Sequence, residues 1–218
     1  MRWLKDMFLY CMVAIVSALL IPGIGQAEIY FGAMGGYSIP NDFSDVTTQG
    51  RFPDDPLPDA SLGNAAMVGA KAGAYLPDYQ WFGFETEGYF TDPKFSGVVP
   101  QGAQEVDANL QVLTWGFNAL IRYPGERFQP YAGAGFGLYF AEIDTDLPGS
   151  DLSQNWVPGF AFLGGFRGFV TNSLALFVEY KYNQATFDLR TTRAGQAFGF
   201  EGTYTNNIIA AGLAWHFR

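Results

Sequence analysis

Between Phe128 and Phe140 the sequence FQPYAGAGFGLYF alternates with a period of two. Ala132, Ala134, Phe136, Leu138 and Phe140 fall on one face, and Gly133, Gly135 and Gly137 fall on the other between Tyr131 and Tyr139. Period two is the signature of a strand, whose side chains point alternately to opposite sides. A soluble sheet buries its rings and wets the other face with charge. Here the second face carries glycine instead of charge, which is the demand of a crowded interior such as that of a small closed barrel. The apolar face then looks outward, and its solvent is lipid.

The same alternation recurs along the chain. Glu28 to Ile39 sets Ile29, Phe31, Ala33, Gly35, Tyr37 and Ile39 against Tyr30, Gly32, Met34, Gly36 and Ser38, and Ala65 to Leu76 sets Ala66, Val68, Ala70, Ala72 and Ala74 against Met67, Gly69, Lys71 and Gly73. Trp81 to Asp92 puts Phe82, Phe84 and Phe90 opposite Glu85 and Glu87. In Val106 to Tyr123 the polar Asp107, Asn109 and Gln111 share odd positions with the apolar Trp115, Phe117, Ala119 and Ile121. Either a bulge near Val112 to Thr114 shifts the phase, or the first part of the strand projects above the membrane, where facing matters less. Trp156 to Val170 sets Phe160, Phe162 and Phe166 against Ala161, Gly165 and Arg167. Leu174 to Leu189 opposes Leu176, Val178, Tyr180 and Tyr182 to Glu179, Lys181 and Asn183, and in the last strand Ile209, Ala211, Leu213, Trp215 and Phe217 share a face.

The eight strands are joined by connections that alternate long and short. The long ones are Pro40 to Asn64, Pro93 to Glu105, Ile143 to Asn155 and Arg190 to Gly199; the short ones are Pro77 to Gln80, Pro124 to Arg127 and Thr171 to Ser173. Outer-membrane barrels have an even strand number, long outer loops and tight periplasmic turns. Their sheet must close, because an open edge in hydrocarbon leaves backbone groups unpaired. The fold expected is all-β: a single eight-stranded antiparallel up-and-down transmembrane β-barrel.

Composition adds to this picture. Aromatic residues make up 17% and charged residues 15% of the 218 residues, yet the mean hydropathy is +0.04, so apolar and polar residues are interleaved and not gathered in long runs. A helical bundle in the membrane needs runs of ~20 apolar residues. The one long apolar run, shorter than that, stands at the start. Arg2 and Lys5 precede an apolar stretch from Phe8 to Ile21, and Gly25, Gln26 and Ala27 offer a small-residue cleavage site before Glu28. Residues 1–27 are therefore expected to be a cleaved signal peptide and residues 28–218 the barrel domain.

The single cysteine, Cys11, lies in that leader, behind the bulky Tyr10, so the mature chain has no thiol chemistry. Without Arg2, Lys5 and Asp6 the remainder carries 10 basic and 20 acidic residues, a net charge of −10, which disfavours a nucleic-acid partner.

The segments ALIRYPGERFQPYAGAGFG, FVEYKYN and the terminal AGLAWHF resemble the OmpA-type family of small eight-stranded outer-membrane β-barrels over essentially the whole mature chain. The resemblance implies insertion by the outer-membrane assembly machinery, which reads a C-terminal strand ending in an aromatic. Trp215 and Phe217 supply that signal, although Arg218 follows. Contact with outer-membrane lipids and lipopolysaccharide, and a monomeric state, are expected. No chain remains for the peptidoglycan-binding domain of longer relatives.

The charges assigned inward are Lys71, Glu85, Glu87, Arg167, Glu179 and Lys181, three of each sign. An eight-stranded barrel is just wide enough to be filled by side chains, so these six form a paired polar network that closes the lumen. A narrow pore for ions or small solutes through the same groups is the alternative, since rings of charge also line pores.

The loop aspartates Asp42, Asp45, Asp54, Asp55, Asp59, Asp144, Asp146 and Asp151 make an acidic outer surface. Asp144, Asp146 and Gly149 fail as a calcium loop, because Pro148 replaces a ligand and Asn155 stands where the closing glutamate belongs. The glycines of the Phe128 to Phe140 strand fail as a phosphate loop, because no helix follows them. No cofactor is expected. A lipid A-modifying outer-membrane enzyme is the other alternative function. The one histidine, His216, sits at the end of the last strand with no serine beside it, so the expected role is non-enzymatic: structure or surface interaction.

Overall fold

The computed structural model describes residues 27–41, 44–49, 61–98, 105–144, 152–193 and 196–217. Eleven strands run through them: β1 (Glu28–Pro40), β2 (Ser44–Gln49), β3 (Ser61–Leu62), β4 (Ala65–Tyr75), β5 (Phe82–Thr91), β6 (Lys94–Val98), β7 (Glu105–Arg122), β8 (Phe128–Asp144), β9 (Leu152–Phe169), β10 (Leu174–Arg193) and β11 (Gln196–Phe217). All pairings are antiparallel, and β1 pairs with β11, so the sheet closes on itself. Residues 1–26, on which the expected leader falls, lie outside the described residues.

The eleven strands make eight arms. Against β7 the register of β5 (Thr91↔Val112) and of β6 (Lys94↔Asn109) is one continuous ladder, and Leu110 N donates to Pro93 O at 2.9 Å within it. The break at Asp92–Pro93 is local, since proline has no N–H to contribute. Likewise β2 continues β1 along β11, and β3 continues β4 along β6. The long connections read from the sequence are therefore shorter than expected. Pro40 to Asn64 holds β2 and β3, and Pro93 to Glu105 holds β6. Ile143 to Asn155 is entered by β8 and β9, and Arg190 to Gly199 is almost consumed by β10 and β11, paired up to Arg193↔Gln196. These segments are polar and rich in turn formers, which hides strands held by pairing with a neighbouring arm. Asp45 and Asp144 lie on strands; Asp42, Asp54, Asp55, Asp59, Asp146 and Asp151 fall outside the described residues.

No bulge interrupts β7. Its register against β5 and β8 runs without a shift, and Leu110, Val112, Thr114, Asn118, Leu120 and Arg122 all point inward. What changes along β7 is the surroundings. In its lower half the outward positions Ala119 and Ile121 are apolar and exposed, and the inward Asn118 and Arg122 are polar and buried. In its upper half the inward Leu110 and Val112 are apolar and fully buried, packed with Leu62, Ala141, Ala185, Phe187 and Tyr204. Gln111 now points outward, as do Glu142 on the neighbouring β8 and Asp188 and Glu201 on β10 and β11.

The barrel thus has two parts: a membrane belt with an apolar exterior and a polar lumen, and above it a continuation with the inverse polarity. Slips in pairing occur elsewhere, between β11 and β2 at Glu201/Thr203 and between β8 and β9 beyond Tyr139↔Val157. There Phe140, outward by phase, is buried and stands 6.1 Å from the Trp156 ring. Above Gly159↔Ala185 the β9–β10 ladder ends next to Pro158, while β10 stays paired with β11.

Inward glycines fit inward rings. A Cβ at Gly73 would lie 2.5 Å from the Tyr30 ring, which cannot retreat because its hydroxyl is bonded to Glu85 and its face is stacked 5.0 Å from His216. A Cβ at Gly168 meets nothing within 4 Å. We expect Gly73→Ala to lower barrel stability by about 1 to 3 kcal/mol through overpacking. Gly168→Ala should be neutral, with urea unfolding from detergent as the measurement. Equal midpoints for the two variants would mean that Tyr30 has room the packing does not show.

Candidate functional site

The belt interior is built from alternate residues of all eight arms, and its polar groups gather in two clusters. β4 contributes Lys71, β5 Glu85 and Glu87, β10 Glu179 and Lys181, and β9 Arg167, because each is on the inward phase of its strand. All six are at most 3% exposed. Bringing a charge out of water costs several kcal/mol even after relaxation, so each ion must find a partner in the lumen.

The upper cluster joins five of the six. Lys71 Nζ donates to Glu179 Oε2 at 2.6 Å and lies 3.2 Å from Glu85 Oε2. Lys181 Nζ lies 2.8 Å from Glu179 Oε1 and is bonded to Glu87 Oε2. Glu179 therefore bridges the two lysines, and the outer carboxylates Glu85 and Glu87 hold one lysine each. Neutral side chains add further bonds, although Glu85 Oε1 has no hydrogen-bond partner among the described residues. Tyr30 donates to Glu85 at 2.6 Å, Tyr131 to Glu179 at 2.8 Å and Asn118 Nδ2 to Glu87 at 3.1 Å.

Arg167 is held differently. Among the described residues it makes no ion pair; its guanidinium lies over the rings of Tyr30 at 4.4 Å and Tyr131 at 5.1 Å, with Nη1 3.5 Å from the Tyr75 hydroxyl. An arginine lies well on aromatic faces because its planar cation is weakly hydrated and meets the negative ring face. Its charge balances the third carboxylate of the group, so the six charges sum to zero.

The lower cluster lies at the end of the barrel with the short turns. Arg122 on β7 donates from Nη1 and Nη2 to both carboxylate oxygens of Glu28 on β1, at 2.9 and 2.7 Å. It also donates to Gln129 at 3.0 Å and to the Gln80 carbonyl at 2.8 Å, with Tyr75 under its plane at 3.5 Å. His216 Nδ1 on β11 lies 2.7 Å from Glu28, and its ring sits between Tyr30 and Phe169. A cavity of about 310 Å³ lined by Glu28, Tyr75, Gln80, Arg122, Pro124 and Gln129 opens below and stops at this cluster.

Of the lower cluster the sequence draws attention only to His216, as a candidate catalytic group with no serine beside it, and it does not mark Glu28, Arg122 or the tyrosine cage around Arg167. Phase alone could have found Glu28 and Tyr30, which share the glycine face of β1, and Arg122, which shares a phase with Asn118. Trp215 and Phe217 project from the outer face of β11 near the turn end, each about half exposed.

Among the described residues, the arrangement presents a histidine and carboxylates that already have partners. His216 is clamped by Glu28 and two rings, and the carboxylates are spent on lysines. What it does is fill a channel-shaped space with a neutral, cross-linked set of side chains.

Comparisons with known proteins agree with this architecture. No curated protein matches the chain in sequence. Among solved structures it is similar to OprG, an outer membrane protein of Pseudomonas aeruginosa, with a TM-score of 0.65 at 14% identity over 88% of this chain and 96% of that one. It is also similar to Neisserial surface protein A, with a TM-score of 0.58 at 17% identity over 87% and 97%. At these identities the likeness is one of fold. The model of the outer membrane protein β-barrel domain matches residues 10–217, nearly the full length, and the chain is an eight-stranded barrel belonging to that family and to the outer membrane.

Proposed function

We propose that this protein is a non-conducting outer-membrane barrel whose lumen is closed by the Lys71, Glu85, Glu87, Arg167, Glu179 and Lys181 network, and whose arms carry a surface for interaction outside the cell. The observation that carries this reading is the combination of near-zero exposure with mutual pairing in the lumen. A path for ions needs binding weak enough to release them, whereas these charges are already neutralised by one another. The apolar plug of Leu110, Val112, Phe187 and Tyr204 closes the barrel a second time above the belt.

In this reading residues 1–27 are the export signal, and Glu28, freed by cleavage, begins β1 and locks the first arm to Arg122 and His216. Trp215 and Phe217 mark the last strand for the assembly machinery before β11 pairs with β1. The barrel works as a monomer among outer-membrane lipids and lipopolysaccharide, its acidic outer surface turned away from the cell, and it performs no catalysis.

Three results test this. In planar bilayers the purified barrel should show no discrete current steps, and regular steps in the wild type would establish the pore instead. Mass spectrometry of the protein recovered from outer membranes should give a chain beginning at Glu28; a chain retaining Phe8 to Ile21 would make that stretch an anchor. Lys181→Met should cost about 3 to 5 kcal/mol, because it strands Glu87 and half of the Glu179 contact in the lumen. Combining it with Glu87→Gln should recover part of that loss, measured as urea midpoints of the single and double variants. A double variant that simply adds the two losses would show that the pair does not act as a unit.

A further inference from the structure

On the outer face of β1, β11 and β10 the apolar belt ends in a patch of tyrosines and amides. Register places Gly35 beside Ala211 and Val178, an apolar row; one step up, Tyr37 stands beside Ile209 and Tyr180. The next rows are Ile39 with Asn207 and Tyr182, then Thr205 with Gln184, and then Thr203 with Thr186. Tyr37 and Tyr180 are about half exposed, Asn41 and Thr186 are exposed, and Tyr182, Gln184, Thr205 and Asn207 are partly so. Only in the row above, with Glu201 opposite Asp188, does charge return.

The polar atoms of the patch are tied together at its surface. Tyr180 donates its hydroxyl to Asn207 Oδ1 at 2.6 Å, Asn207 Nδ2 donates to Asn41 Oδ1 at 3.5 Å, and the Tyr182 hydroxyl donates to Gln184 Oε1 at 3.4 Å. These contacts fix the amides while leaving further donors and acceptors free to face outward, since each amide has two N–H groups and two oxygen lone pairs.

Tyrosine at the border of an apolar belt lies at the level of lipid headgroups. The chemistry of this border selects among headgroups. A phosphate calls for arginine or lysine, and the patch has neither. A sugar ring presents C–H faces that lie on aromatic rings and hydroxyls that pair with amides and hydroxyls, which is the inventory here. By contrast β5, β7 and β8 meet the border with Phe90, Leu113 and Phe140, and one row up Gln111 already stands beside the charged Glu142.

We propose that the surface formed by Tyr37, Tyr180, Tyr182, Asn207, Asn41 and Gln184 binds the sugar headgroup of a glycolipid in the outer leaflet. The site rests on the reading that the arms point out of the cell, but binding is measurable on the isolated barrel, whatever its orientation or conductance.

The test is native mass spectrometry of the purified full-length barrel in non-ionic detergent, titrated in separate arms with truncated-core lipopolysaccharide, with lipid A stripped of both phosphates, and with phosphatidylglycerol. The wild type should retain both glycolipids, with chelator present or absent. Tyr180→Ala combined with Asn207→Ala should bind both at least about tenfold more weakly, the loss of two contacts. Phosphatidylglycerol should not distinguish the two proteins. Both positions are on the outer surface, and unchanged heat-dependent gel migration shows that the variant is folded. Equal retention by wild type and variant would overturn the proposal. So would retention that vanishes with the phosphates or with chelator, which would mean a charge-mediated contact.

Discussion

The structure depends on one constraint: in hydrocarbon every backbone N–H and C=O must be bonded within the protein, so the sheet has to close. Closing eight strands leaves an interior only wide enough for side chains. Everything inside must therefore fit its neighbours, and each buried charge must be met by them. Size is met by pairing inward glycine with inward tyrosine, as Gly73 does with Tyr30. Charge is met by alternating lysine and glutamate along Glu85, Lys71, Glu179, Lys181 and Glu87. Tyrosine serves both ends, filling volume with its ring and capping a carboxylate with its hydroxyl.

The same constraint explains why the lumen is organised in layers. Closure brings β1 against β11, and the lower cluster crosses that junction: Glu28 comes from the first arm, His216 from the last, and Arg122 from the middle of the chain. No arm could be withdrawn without uncovering a buried charge. Beyond the membrane the constraint relaxes, because water satisfies the outer face. The arms continue there with apolar residues inside and polar residues outside, as in an ordinary soluble barrel. One strand, β7, shows both regimes without any change of phase.

Much of this was legible in the sequence, and the parts that were not have physical reasons. Strand phase was readable wherever one face met lipid, because a charged side chain there is costly. Phe84 against Glu85 and Val178 against Glu179 could not be misassigned. The phase of upper β7 was ambiguous because Gln111 and Leu110 obey the opposite rule to Ile121 and Arg122, and sequence does not mark where the solvent changes. The extensions β2, β3 and β6 were hidden because their strand character comes from pairing with a neighbour and not from their own composition. The partners of the lumen charges depend on the register and shear of the barrel, so that Lys71 reaching Glu179, 108 positions away, follows only from closure. Arg167 looked like one more member of an ion-pair network, yet three tyrosines hold it, and nothing in the local sequence of β9 announces them.

The most direct test follows one face of one strand across the change of solvent. Spin labels attached at Ile121→Cys and at Gln111→Cys, each in a chain carrying Cys11→Ser and reconstituted in lipid bilayers, sit on the same outward phase of β7. Molecular oxygen, which concentrates in hydrocarbon, should relax the label at position 121 and scarcely affect that at 111. A water-soluble nickel chelate should do the reverse. Both labels responding to oxygen alone would place upper β7 in the membrane. A label at 111 shielded from both reagents would mean that the strand slips phase and turns that residue inward, contradicting a barrel whose polarity inverts without a bulge.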